Sequence, residues 1–417
     1  MKRRAGAAIA VLAVVASVFT SAAPASADYI RDGEYWLNDY GITEAWNTTR
    51  GAGVTIAVID TGIDSSHPDL AGAVTGGADF SGLGASDGQS PVGSSSESNH
   101  GTMVASLAAG RGNAPGAGVI GVAPEANLLS ISIGFGENAT DSDDQVAEAV
   151  TWAVDNGADI INMSLTRNTL SWPASWDAAF LYASEHDVVV VAAAGNRGSG
   201  TTSVGAPATM PGVLTVAGVD QDGEASLDAS AQGITIGVSA PSEQLLGAIP
   251  GGSVMRWSGT SGATPIVAGI VALVMAAHPE LDASNVINRV VSTARPAGAQ
   301  GSDPIYGFGL VDAAAAVTAD VAGVTANPMG DLAEWIRLNR RAVATAEPTV
   351  PPVETTSPEA PSLELAGPQN PLGTLYPTVT ELRMVGLPLA IVGIFGTLFG
   401  VFVLLASRQF RAVRRRE

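Results

Sequence analysis

A series of short apolar runs, each about as long as a β-strand, recurs along this sequence. The apolar residues follow one another without alternating with polar ones, which is typical of strands buried on both faces of a parallel sheet. The sequence therefore predicts a mainly parallel sheet. Its predicted strands are 54–59, 128–133, 160–163, 188–194 and 213–219.

Helical patterns separate these strands, notably at 144–158 and 173–186. Two more runs of small and apolar residues look like helices, and they begin at His100 and Ser261. Strands and helices that alternate in this way predict an α/β domain with three layers, αβα, around a mainly parallel central sheet. In such domains functional groups gather where strands end and loops begin.

Two polar residues stand at such strand ends. Asp60 closes the first predicted strand, and Asn196 closes the fourth. His100 and Ser261 stand in the first turns of their predicted helices, where the helix dipole favours a developing negative charge. A serine before an apolar helix is also a common N-cap, so position alone leaves two interpretations of Ser261.

The start of the chain has the pattern of an exported protein. Residues 1–27 have a basic beginning, an apolar stretch and the small-residue triplet Ala25-Ser26-Ala27. This pattern predicts a secretory signal peptide that is cleaved before Asp28. An uncleaved membrane helix fits less well, because the apolar run is short. Residues 28–50 would then form a short N-terminal extension.

The other end of the chain predicts a membrane anchor. Residues 384–406 form a run of 23 residues without a charge, which at about 1.5 Å per residue can cross a hydrocarbon core of about 30 Å. The basic tail 407–417 follows at once and is predicted to be cytoplasmic by the positive-inside rule. We expect a single-pass protein of the cell membrane with an extracellular body. The linker 319–383 includes a proline-rich stretch that predicts an extended stalk.

Charge and composition exclude several function classes. The formal net charge is −20, and eight of the 20 basic residues lie at the two chain ends. The body therefore lacks the clustered basic residues of a nucleic-acid-binding surface. The chain has no cysteine, which excludes disulfides, thiolate zinc sites and a cysteine nucleophile. Any nucleophile is then an oxygen.

Two catalytic signatures match the sequence in part, and both interpretations are rejected. Asp60-Thr61-Gly62 is the triplet of an aspartic protease, but such an enzyme needs two carboxylates and this chain has one triplet. The stretch 259–263, GTSGA, is close to the nucleophile elbow of an α/β-hydrolase, whose triad runs serine, acid, histidine. After Ser261 the sole histidine is His278, which precedes most of the remaining acids, so this order fails too.

The order acid, histidine, serine is available as Asp60, His100 and Ser261. Each lies in a glycine-marked motif, and the three motifs are VIDTGID, NHGTMVAS and SGTSGATPIVAG. Together with AAAGN at 192–196, these motifs in this order resemble those of the subtilisin-like serine proteases, or subtilases. The resemblance covers roughly residues 51–318.

The resemblance implies a subtilisin-like fold and the hydrolysis of peptide bonds. Ser261 would be the nucleophile, His100 the general base and Asp60 the carboxylate that orients the imidazole. The backbone N–H of Ser261 and the side-chain amide of Asn196 would bind the oxyanion, with Thr260 assisting. This chemistry requires no cofactor and no catalytic metal.

The resemblance also implies where a protein or peptide substrate would lie. Two backbone segments would form the rails and walls of the primary specificity pocket, and a third would border the cleft further along. These residues are Ser164, Leu165 and Thr166, then Ala193, Ala194 and Gly195, and finally Ile133 and Gly134. Thr166 stands where the family often has glycine, which predicts a narrowed pocket.

Two further residues carry expectations from the family. Asp69 would help to hold a structural calcium ion, with further ligands from the loop 110–118. Gly262 follows the nucleophile at a position where the family usually has a bulkier residue, which predicts a looser start to that helix.

A signal peptide, a short extension, a subtilase domain, a stalk and an anchor follow one another along the chain. This layout resembles the mycosins, the membrane-anchored subtilases of actinobacterial type VII secretion. Two functions then compete. One is an active serine endopeptidase tethered to the outer face of the cell membrane. The other is a structural component of a secretion complex in which proteolysis is dispensable.

Overall fold

A parallel sheet of seven strands runs through the computed structural model, which describes residues 29–134, 139 and 141–340. The spatial order is β2-β3-β1-β4-β5-β6-β7, and all neighbouring strands are parallel. The strands are β1 (Thr55–Asp60), β2 (Val74–Asp79), β3 (Asn127–Ser132), β4 (Ile160–Met163), β5 (Val189–Ala193), β6 (Leu214–Val219) and β7 (Ile236–Pro241). The predicted parallel sheet is confirmed, and the five predicted strands end within one residue of their expected bounds.

Helices cover both faces of the sheet and complete the three predicted layers. One face carries α1 (Tyr29–Gly33), α2 (Trp36–Asp39), α3 (Ile42–Ala45), α4 (His100–Ala109), α7 (Thr260–Ala277), α8 (Ala283–Ser292) and α9 (Ala313–Thr318). The other carries α5 (Ser142–Asp155), α6 (Ala174–Glu185) and α10 (Leu332–Asn339). The hydrophobic core is accordingly divided into two clusters, one on each side of the sheet.

The apolar pattern does not predict two of the strands. β2, VTGGAD, is a largely half-exposed edge strand, and its glycines and polar residues break any apolar run. β7, IGVSAP, lies at the opposite edge and is buried, but glycine, serine and proline interrupt it. After β7 an antiparallel hairpin of β8 (Leu245–Ile249) and β9 (Ser253–Trp257) leads into α7.

The segment before β1 belongs to the domain core. Trp36 of α2 and Ile42 of α3 are fully buried and join the cluster that includes α4 and α7. Glu34 is buried too, and its Oε1 accepts the backbone N–H of Ile120 at 2.9 Å. The Nε of Arg31 lies 3.6 Å from the other oxygen of Glu34. The hydrogen bond from Ile120 to Glu34 thus joins this segment to the loop that follows α4, and Arg31 pairs with Glu34 within the segment.

Among the described residues, α7 is the helix that is long and apolar enough to span a membrane. It is the central helix of the domain, since 78% of it is buried inside the protein. The predicted signal peptide (1–27), the linker beyond residue 340, the predicted membrane helix (384–406) and the basic tail (407–417) lie outside the described residues. These four assignments stay predictions.

The last described residues are clamped onto α6. Arg340 follows α10, and its Nε lies 2.8 Å from Asp177 Oδ2, while its Nη2 donates to the backbone carbonyl of Trp172 at 2.8 Å. The indole of Trp335 lies on that of Trp172, with 4.3 Å between ring centroids. The guanidinium of Arg340 covers both rings. α10 and the residue that follows it are therefore packed against the domain.

Candidate active site

Asp60 and His100 are hydrogen-bonded to each other. Asp60 is the last residue of β1 and is buried, with 4% of its surface exposed. Nδ1 of His100, the first residue of α4, lies 2.8 Å from Oδ1 and 2.9 Å from Oδ2 of this carboxylate. Because a carboxylate accepts hydrogen bonds, Nδ1 carries the hydrogen and Nε2 is left as the basic nitrogen.

The threonine of VIDTGID and the glycine of NHGTMVAS explain how His100 comes so close to Asp60. Thr61 Oγ1 accepts the backbone N–H of Gly101 at 3.0 Å, which ties the first turn of α4 to the end of β1. A Cβ atom on Gly101 would lie 2.3 Å from the carbonyl oxygen of Gly62. The helix can come this close only because residue 101 has no side chain. Residues of the DTG and HG motifs thus hold the end of β1 against the first turn of α4.

The environment of His100 raises its pKa. Burial by itself lowers this pKa, but the negative charge of Asp60 and its hydrogen bond to Nδ1 raise it by more. The net pKa of His100 therefore lies above the usual value of an imidazole. A base with a raised pKa is a stronger proton acceptor once it is neutral.

Ser261 is the second residue of α7 and exchanges two hydrogen bonds with Ser164. Its Oγ donates to the carbonyl of Ser164 at 3.0 Å, and Ser164 Oγ donates to the carbonyl of Ser261 at 2.9 Å. A helical carbonyl at this position would normally accept the N–H four residues on. That residue is Pro265, which has no N–H. The proline therefore leaves the carbonyl of Ser261 free for Ser164.

Thr260 orients the side-chain amide of Asn196. Asn196 Oδ1 accepts the backbone N–H of Thr260 at 2.8 Å and its hydroxyl at 2.9 Å. The same hydroxyl accepts the N–H of Gly195 at 3.1 Å. With Oδ1 occupied, Nδ2 is the end of the amide that can donate elsewhere. The hydroxyl of Thr260, a residue expected to assist in binding the oxyanion, is engaged in holding Asn196.

A cavity of about 350 Å³ opens beside the Asp60–His100 pair. Six predicted site residues line it, namely Asp60, His100, Ile133, Gly134, Ser164 and Leu165. Further walls come from the loop before α4, through Val92, Gly93, Ser96 and Glu97. Sequence reasoning missed this loop because it has no motif. Its place directly before a predicted catalytic histidine is the signal that could have indicated it.

The other predicted pocket residues follow two neighbouring strands. Residues 164–166 leave the end of β4, and residues 193–195 lead from the end of β5 to Asn196. β4 and β5 pair in parallel as far as Met163 and Ala192, so both segments leave the sheet side by side.

Trp257 contacts the site and was not predicted. Its ring meets His100 edge-on, with 5.7 Å between ring centroids. A Cβ atom on Gly262 would lie 3.3 Å from Trp257 Cζ2 and 2.3 Å from a methyl group of Leu245. The hairpin therefore fills the space that a larger residue 262 would need. α7 begins at Thr260, two residues before Gly262, and the expectation of a looser helix start stays a prediction.

The calcium expectation concerns Asp69, which is fully buried. Its Oδ2 accepts the N–H of Val119 at 2.9 Å, whereas Oδ1 has no hydrogen-bond partner among the described residues. A Cβ atom on Gly118 would touch both this oxygen and Asn113 Nδ2. The unpartnered carboxylate oxygen is one possible calcium ligand, whereas the amide atom beside it is a nitrogen, which calcium does not bind. Within the same described range, no three acidic or histidine side chains cluster as metal ligands, so the fit is partial.

Residues 51–309 match the Subtilase family. The chain belongs to this family. It is 38% identical over 268 residues to Subtilisin E of Bacillus subtilis, a match that covers 64% of this chain and 66% of that protein, just under two thirds. It is also 38% identical to a subtilisin of Bacillus pumilus, over 64% of this chain and 91% of that protein.

Solved structures of two further proteases share the fold. MycP1, in a structure with its N-terminal propeptide removed, is 31% identical with a TM-score of 0.61, over 70% of this chain and 98% of that chain. The MycP3 protease from the type VII (ESX-3) secretion system is also 31% identical, with a TM-score of 0.58, over 69% of this chain and 88% of that chain. The resemblance to subtilases, drawn from the motifs, is confirmed, and so is the likeness to mycosins, drawn from the layout of the chain.

Proposed function

We propose that this chain is a serine endopeptidase anchored in the cell membrane, with its catalytic domain outside the cell. The observation that carries the proposal is the bond between Asp60 and His100. A buried carboxylate on Nδ1 prepares Nε2 to accept a proton and stabilises the imidazolium that forms. Ser261 donates a hydrogen bond to Ser164, and Ser164 lines the cavity beside Asp60 and His100. Ser261 therefore belongs to the same site.

The reaction proceeds by acyl transfer. The hydroxyl of Ser261 turns from the carbonyl of Ser164 to His100 and attacks a peptide carbonyl, while His100 takes its proton. The C–N bond then breaks, the proton passes to the leaving amine, and Ser261 holds the acyl group as an ester. Water, deprotonated by His100, hydrolyses this ester and restores the serine. The balance of atoms needs no cofactor.

The negative oxygen of the tetrahedral intermediate would be held by two donors. Asn196 Nδ2 is one, because Oδ1 of the same amide is fixed by Thr260. The backbone N–H of Ser261 is the other, at the N-terminus of an 18-residue helix whose dipole also favours negative charge. Donors fixed before the reaction stabilise the transition state without having to reorganise.

An extended peptide would lie along the cavity beside His100. Its acyl side would contact Ile133 and Gly134, then the segments 164–166 and 193–195. Asp69 would help to hold a structural calcium ion, with no role in bond cleavage.

The predicted signal peptide and membrane helix support the location of this activity. A secretion complex is the partner class supported by the likeness to the MycP3 protease, which comes from the type VII (ESX-3) secretion system. The same likeness favours a second function, in which the subtilase domain stabilises such a complex and proteolysis is dispensable.

Labelling with a fluorophosphonate tests the first function. The purified ectodomain should be labelled, Ser261→Ala should not be, and the exposed nearby variant Ser258→Ala should behave as the wild type. Labelling that persists in Ser261→Ala, or none in the wild type, would reject the assignment.

A genetic comparison tests the second function. A strain carrying Ser261→Ala is compared with a deletion strain for secretion and for assembly of the complex. If the point variant keeps functions that the deletion loses, the structural role is supported. If both strains show the same defects, that role has no support.

A further inference from the structure

The side chain on the acyl side of the cleaved bond has a defined place in this site, given the proposed function. The carbonyl carbon of the same substrate residue lies at Ser261 Oγ, which contacts the carbonyl of Ser164. The carbonyl oxygen of that residue lies at Asn196, which follows Gly195. The side chain must therefore enter between residues 164–166 and residues 193–195, the two segments that leave β4 and β5 side by side.

Two threonine methyl groups already occupy this gap. A Cβ atom placed on Gly195 would lie 3.0 Å from Cγ2 of Thr166 and 2.5 Å from Cγ2 of Thr201. Both distances are shorter than ordinary contacts between carbon atoms. The two methyl groups therefore lie against the backbone of Gly195, which belongs to one of the two segments.

The gap is also shallow. A Cβ atom on Gly205 would lie 2.9 Å from Oγ1 of Thr166 and 1.6 Å from the carbonyl oxygen of Arg167. The N–H of Arg167 donates to the carbonyl of Ala206 at 2.8 Å. The chain after Thr166 thus lies directly on residues 205–206, and Thr166 lies close to both Gly195 and Gly205.

The blocking side chains are held in place. Thr201 Oγ1 donates to Asn168 Oδ1 at 2.6 Å, and Thr166 Oγ1 donates to the carbonyl of Arg167 at 3.2 Å. Threonine is β-branched, which restricts rotation about its first side-chain bond. A substrate cannot simply push either methyl group aside without breaking these contacts.

We propose that Thr166, together with Thr201, closes the pocket for the residue on the acyl side of the scissile bond. The enzyme then cleaves after glycine and alanine and rejects large side chains. This inference rests on the proposed function and assigns its substrate class.

A peptide series that differs only at this residue tests the inference. The ectodomain is assayed on peptides with glycine, alanine, leucine or phenylalanine there, alongside Thr166→Gly and the control Thr169→Gly. Thr169 belongs to the same loop, but its hydroxyl contacts Ser171. We expect the wild type to prefer alanine over phenylalanine by about 100-fold in kcat/KM. Thr166→Gly should lower this ratio at least about tenfold by accelerating the phenylalanine peptide, and Thr169→Gly should leave it unchanged.

A wild type that cleaves the phenylalanine peptide as well as the alanine peptide would overturn the inference, and so would a ratio unaffected by Thr166→Gly. Fluorophosphonate carries no amino-acid side chain, so labelling of Ser261 is measured in every variant as a separate check. Labelling with a flat peptide preference rejects the inference alone, whereas a wild type without labelling rejects the proposed function and the inference with it. If Thr166→Gly fails to fold, Thr166→Ser, which removes only the methyl group, should shift the preference in the same direction.

Discussion

Ser164 and Ser261 are joined by two hydrogen bonds in opposite directions, each from one side-chain hydroxyl to the other residue's carbonyl. The pair connects the end of β4 to the first turn of α7. The bond to the carbonyl of Ser261 is available because Pro265 cannot supply the N–H that would otherwise occupy it. A residue four positions away thus controls how the nucleophile is held.

Pro265→Ala should weaken catalysis without unfolding the domain. The new N–H would bond to the carbonyl of Ser261 and displace the hydroxyl of Ser164, so the nucleophile loses one restraint. We expect kcat to fall by about tenfold, since small misplacements of reacting groups are costly, while the melting temperature stays the same or rises. Peptide hydrolysis and thermal unfolding measure the two effects. Ser164→Ala breaks the same bond and should match it in kcat, and an undiminished kcat in both variants contradicts this account.

Asp60→Asn should lower kcat by roughly 10⁴-fold, because an amide favours the wrong tautomer of His100. It should also move the pH profile. In the native enzyme kcat/KM rises with pH as His100 loses its proton, around a pKa that the Asp60 carboxylate holds above the usual value. Without that charge the lowering effect of burial prevails, so the acid limb of the remaining activity should shift to lower pH. A pH series on both proteins measures the shift, and an unmoved limb would count against the ion pair.

Asn196→Ala should lower kcat by roughly 10²–10³-fold with little change in KM, the range known for the corresponding loss of a donor in subtilisin itself. Thr260→Val keeps Asn196 but removes the hydroxyl that holds its Oδ1. We expect a smaller loss in kcat from this variant. Steady-state kinetics compares the two, and a raised KM with an unchanged kcat would mean that the amide binds substrate and transition state alike.

Glu34→Ala should destabilise the whole domain. It would leave the N–H of Ile120 without its acceptor and Arg31 without its buried partner. We expect a loss of about 3 kcal/mol in the free energy of unfolding. Asp32→Ala changes an exposed carboxylate of the same turn and should have almost no effect. Denaturant titrations of both variants test this, and equal stabilities would show that the ion pair is dispensable.

Much of this structure could be predicted from the sequence, because it depends on patterns within short stretches of the chain. The central strands are continuous apolar runs, and Asp60, His100 and Asn196 stand at the strand and helix ends that the pattern indicates. Chain order then distinguished a triad from an aspartic dyad.

Features that depend on distant contacts could not be predicted. Trp257 meets His100 only because the hairpin folds over α4, and nothing in its local sequence indicates this contact. Thr260 orients Asn196 across 64 residues of chain. Strand β2 was missed because an edge strand exposes polar residues and needs no apolar run.

The clamp of Arg340 on Asp177 and two indole rings has a mechanical consequence. Any tension on the chain after residue 340 enters the domain through α6, on the face of the sheet opposite to α4 and α7. The helices that carry His100 and Ser261 are not the ones to which this tension is first transmitted. The catalytic geometry can therefore persist while the protein is pulled, turned or tilted by whatever holds its far end.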